Sequence, residues 1–200
     1  MKSRIPAFGT WAALLTVAAG ALALSCNNQT FGGDNDAGAG QPPDMAYNGP
    51  YTDFPAAPIL DPATGGNMQV PANAAALFGA ADSGAQTGGP CLTDPEVGAL
   101  FPRNFTPPLF EWKGGANQNI YELRLHIDNQ VNDLVVYTDK TTFTLSDDMW
   151  QSLANHSQDH DIQVTIRGGQ LSAGQLTGGA FTGTTGNIHI APVSALGSIV

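Results

Sequence analysis

The chain has 200 residues, of which 24 are glycine and 14 proline, with 12% charged side chains and a formal net charge of −10. That length gives room for one domain plus a tail, and so much glycine and proline with so little charge excludes a helical bundle in favour of short strands and turns. Lys2 and Arg4 are the only charges before Cys26, so from Cys26 onward 5 basic side chains face 17 acidic ones. Such a surface repels polyanions, which excludes nucleic acid as a partner.

Residues 1–25 read as an export signal. Lys2 and Arg4 form a basic start, and Trp11 to Leu24 is a charge-free apolar run of 14 residues. A helix needs about 20 apolar residues to span a bilayer, so this run suits a secretory leader instead. It ends Leu22-Ala23-Leu24-Ser25-Cys26. These residues resemble the lipobox of bacterial lipoproteins, although that family prefers Leu where Ala23 stands. The resemblance implies acylation of Cys26 and a permanent membrane anchor, since each buried methylene is worth about 0.8 kcal/mol. It also implies a place in the bacterial cell envelope, and Asn27 after Cys26 points to the outer membrane. Ala23 and Ser25 equally satisfy the small-x-small pattern of ordinary signal cleavage, which would give a secreted or periplasmic soluble chain. In that case the two cysteines, Cys26 and Cys91, are able to form a disulfide in an oxidising compartment.

Residues 26–58 are expected to be a disordered tether, rich in Asn, Gly, Asp and Pro with little to bury. Asp34 to Gly38 lacks the closing Glu of a calcium loop and reads as solvated linker. Residues 59–98 are an extended lead-in. Within it, Pro71 to Phe78 predicts a short helix with proline near its start and Gly79 as its stop. The prolines around Leu100-Phe101 confine that segment to a sheet edge.

The expected body runs over 99–192. Leu109 to Trp112, Ile120 to Asp128, Leu134 to Thr138, Thr142 to Leu145 and Ile162 to Arg167 read as strands. Tyr121, Leu123, Leu125 and Ile127 alternate with Glu122, Arg124, His126 and Asp128, a period of two that predicts one buried and one wet face of an antiparallel sheet. Ser146 as N-cap, Asp147 and Asp148 in the first turn, and Met149, Trp150 and Leu153 on one side predict an inserted helix. After Arg167 the chain becomes glycine-rich, and Asn187 to Ala191 is a last strand. Pro107 to Trp112, Ile120 to Leu125, Thr142 to Ser146 and Ile162 to Ile166 together resemble a fibronectin type III or immunoglobulin-like domain, a mainly β antiparallel sandwich. The long stretch from Ser146 to His160 and the missing corner tyrosine depart from that pattern. The leader, the tether and a sandwich holding Leu134 to Thr138 are similar in layout to the front ends of large surface lipoproteins of myxobacteria. The apolar run 193–200 is therefore expected to begin a further segment.

Chemistry is sparsely signalled. His156 and His160 have the four-residue spacing of a zinc pair on a helix, but Ser157 stands where a zincin needs Glu, and the plain reading is a polar helix end. His126 and His189 fall on outward strand positions. No Gly-x-Ser-x-Gly occurs, Cys91 has no cationic neighbour in sequence, and Glu111 and Glu122 lie on sheet faces. The sequence thus predicts no catalytic residue, no cofactor and no firm metal site. Trp112, Tyr121, Phe143 and Trp150 are expected mostly in the core, with Tyr137 and one of the tryptophans as the candidates for an outward position. The function expected is that of a non-catalytic, envelope-anchored spacer or protein-interaction module. The alternatives are an accessory front of a larger secreted enzyme, redox or propeller protein, and a carbohydrate-binding module. The partners would be the membrane through lipid on Cys26, and other envelope proteins or polysaccharide.

Overall fold

A computed structural model describes residues 49–62 and 70–196. The expected leader, Cys26 and the tether as far as residue 48 lie outside the described residues. The chain is mainly β. In order, the elements are β1 (Ile59–Asp61), α1 (Ala74–Phe78), β2 (Cys91–Asp94), β3 (Leu100–Phe101), β4 (Leu109–Lys113), β5 (Ile120–His126), β6 (Leu134–Thr138), β7 (Thr142–Thr144), α2 (Asp147–His156), β8 (Ile162–Ser172) and β9 (Gln175–Ile190).

Two sheets form. The larger has the order β1-β6-β5-β8-β9-β3 and the smaller β2-β4-β7. All neighbours are antiparallel except the two short outer strands, β1 on β6 and β3 on β9, which run parallel. The main core lies between the sheets: Phe110 and Trp112 of β4 meet Tyr121, Leu123 and Leu125 of β5, with Trp150 and Leu153 of α2 closing one end. Burying such side chains is worth about 1.5–3 kcal/mol apiece. α2 starts as its sequence predicts, with the Ser146 hydroxyl accepting from the Met149 amide at 3.3 Å. Trp150 is fully buried, and its indole donates to the Phe105 carbonyl at 2.8 Å.

Three expectations need correction. First, residues 49–58 pack against the body where tether was expected: Phe54 sits in the main core, and the Tyr51 amide and carbonyl bond Asn129 and Val131. Second, the strands on either side of the glycine-rich stretch run further than expected, β8 past Arg167 to Ser172 and the last strand back from Asn187 to Gln175. The stretch between is the long β8–β9 hairpin, in which Gly183 admits backbone from residue 90 and Gly168 and Gly186 admit side chains. A Cβ on Gly183 would strike the Pro90 carbonyl, and one on Gly168 would strike the Gln118 side chain. Third, the second face of the large sheet is not wet along its middle. Glu122 and Arg167 are both fully buried and Tyr137, a candidate for an outward position, is 2% exposed, because the segment carrying α1 lies across them.

That segment continues a wrap of the large sheet. Residues 51–54 bond the connection between β5 and β6, β1 runs along the free edge of β6, α1 crosses the second face, and residues 85–101 follow the free edge of β9. Along β9 they exchange hydrogen bonds in turn with Ala180, Thr182, Thr184, Asn187 and His189. Unpaired strand edges invite association with other chains, and the wrap removes both.

Candidate functional site

Polar side chains converge at two places, the second face of the large sheet and the junction of α2 with residues 51–54. On the second face, β5 and β8 place Glu122 opposite Arg167 in register. The Arg167 guanidinium grips the carboxylate with two bonds, Nε to Oε1 at 3.0 Å and Nη2 to Oε2 at 2.6 Å. Its remaining hydrogens turn outward to the segment above: Nη1 donates to the carbonyls of Phe78, Ala80 and Ser83 and Nη2 to that of Gly79, at 2.7–3.4 Å. The Phe78 ring lies 5.6 Å from the guanidinium carbon. A planar fork with five donors fits this task, which a lysine could not do.

The network continues along β5. Arg124 bonds Glu122 at 3.3 Å and Asp133 at 2.8 Å, and His126 bonds the other oxygen of Asp133 at 2.8 Å. Burial lowers the Arg124 pKa, but Asp133 and Glu122 outweigh it and leave the group above its ordinary value. Burial likewise raises the Asp133 carboxyl, and hydrogen bonds from His126 and Arg124 outweigh it, so its pKa falls below the usual 3.8. Tyr137 is shifted furthest. Burial first, then the charge of Glu122 and a hydrogen bond to it, push the phenol well above its usual 10.0. Every group here is satisfied by another, an arrangement that fixes geometry rather than one poised to react.

At the junction, the His156 ring nitrogen lies 2.9 Å from Asp53, and Gln130 also holds that carboxylate at 2.7 Å. Tyr51 stacks on the His156 ring, centroids 4.0 Å apart and planes within 2°. His160 pairs instead with Asp128 at 2.7 Å, and Asp161 with His189 at 3.3 Å. The His156–His160 spacing therefore gathers no common ligand set, and among the described residues no three His, Cys, Asp or Glu side chains are placed to hold a metal. Gly49, Pro50, Asp128, Asn129 and His160 line a shallow recess of about 290 Å³.

No nucleophile is activated among the described residues. The Ser157 hydroxyl is buried without a hydrogen-bond partner, so no base addresses it. Cys91 is disulfide-bonded. Trp112, Tyr121, Tyr137 and Trp150 are all buried, so none of them offers a face for stacking a sugar. Sequence reasoning left Glu122 and Arg167 as solvated residues. Their one signal is that both interrupt the outward face of adjacent strands with opposite charges, which matters only once the register is known.

No family model matches the chain, and no curated protein or solved structure matches it. Among the described residues no helix is long and apolar enough to cross a membrane.

Proposed function

We propose that this chain is an exported, non-catalytic module of the cell envelope, held by lipid on Cys26 and serving as a spacer or protein-interaction domain. The observation that carries the non-catalytic reading is the pairing of the two fully buried charges: Glu122 and Arg167 bond one another, and Arg167 bonds four backbone carbonyls. We propose further that the body is an immunoglobulin or fibronectin III-like sandwich. Its support is the strand order, since β2-β4-β7 and β6-β5-β8-β9 correspond to strands A-B-E and C′-C-F-G of that architecture, with α2 inserted between E and F.

The disulfide at Cys91 favours a second reading of the anchor. The chain has two cysteines, and a sulfur engaged in a Cys26–Cys91 bridge cannot also carry a thioether-linked diacylglyceryl group. In that reading the protein is an exported soluble chain, stabilised in an oxidising compartment. Intact mass with thiol counting on protein from membrane and soluble fractions decides between them. A mature chain starting at Cys26 with a diacylglyceryl adduct supports the anchor. An unmodified soluble chain lacking free thiols supports the bridge and overturns the anchor.

A further inference from the structure

We infer that residues 74–83 form a strap that lifts from the second face of the large sheet as one unit, with the Glu122–Arg167 pair as its catch. The strap cannot hold its own shape. α1 has five residues, no side-chain cap at its start, no acidic residue in its first turn and no basic one in its last, and a helix so short does not persist alone. Its C-terminal carbonyls are instead held from below, four of them by the one guanidinium of Arg167. Ser83 adds hydroxyl bonds to the carbonyls of Phe78 and Ala80, but these lie within the strap and move with it.

Its apolar attachment is equally separate. Ala74 and Phe78 pack with Val70, Ile120, Tyr137 and Ala180, a cluster sharing no buried member with the main core on the opposite face. A segment with its own small core and its own polar anchor opens at lower free energy than the whole domain. Beneath it lie Tyr137, Ile120 and the buried carboxylate. While the strap is down, the central strands of the large sheet are closed to any partner at that point. This holds whichever chemistry Cys26 carries.

Hydrogen–deuterium exchange on the full chain tests the device, comparing wild type with Glu122→Gln and Phe78→Ala. Expected is exchange of strap amides such as Leu77, Gly79 and Ser83 at least tenfold faster in both variants, and in each variant a larger acceleration there than in β4 and α2. A rise of equal size throughout the chain, or none in the strap, overturns the proposal. Should Glu122→Gln fail to fold, Phe78→Ala decides alone, because it leaves no buried charge unpaired.

Discussion

At the scale of single residues, the buried pair of Glu122 and Arg167 matters most to stability. Both charges are fully withdrawn from water, so neither tolerates the loss of the other. Glu122→Gln or Arg167→Met is expected to cost about 3–5 kcal/mol, read by urea unfolding. Replacing both with apolar residues should recover part of that loss, because no charge is then stranded. Recovery is incomplete because the carbonyls of Phe78, Ala80 and Ser83 still lose their donor. Tyr137 and Asp133 contribute pH dependences of opposite sign. The folded pKa of Tyr137 is raised, so its contribution is intact below the unfolded value near 10 and is lost as pH rises towards the folded one. Asp133 has the opposite sign. Its folded pKa is depressed, so its contribution is present above the unfolded value and fades as pH falls below about 4. Chemical denaturation from pH 3 to 11 should therefore fall off at both ends, with Tyr137→Phe flattening only the alkaline side.

Among the elements, those with local causes were legible and those with distant ones were not. α2 follows from Ser146, Asp147 and the Trp150/Leu153 side, all within ten residues, and Ser146→Ala should lower stability by about 1 kcal/mol in a thermal or urea melt. α1 and its stop at Gly79, with φ 70°, were likewise readable. β5 showed its main-core face through Tyr121, Leu123 and Leu125. Its other face was misread because what covers Glu122 comes from more than forty positions upstream. The same reason hid β1, which is three residues long and pairs parallel to β6. The glycines of the β8–β9 hairpin offer no apolar alternation to read, and Gly183 is there to admit neighbouring backbone. Gly183→Ala puts a methyl into the Pro90 carbonyl, and is expected to detach residues 85–90 from β9. Faster exchange of the Gly89 and Thr184 amides, which now bond Thr182 and Pro90, would register the detachment.

At the scale of the whole molecule, the wrap decides where the domain begins. Alternation and turn signals place the body at 99–192, and on that boundary a chain cut at residue 99 would fold. The structure argues otherwise. Within residues 49–61, β1 covers the free edge of β6 and Phe54 enters the main core, while residues 85–98 cover the free edge of β9. Removing everything before residue 99 also strips β2 from β4, so that both sheets acquire bare edges at once. Exposed edges beside strands as apolar as Leu134–Thr138 template association. A chain of residues 49–196 carrying Cys91→Ser, which takes the disulfide out of the comparison, should run as a monomer in size-exclusion chromatography and unfold in one cooperative step. The chain of residues 99–196 should aggregate or lack a melting transition. A soluble, cooperatively folding 99–196 would show that the wrap is ornament on a self-sufficient sandwich. Its failure would show that the N-terminal segment is part of the domain itself.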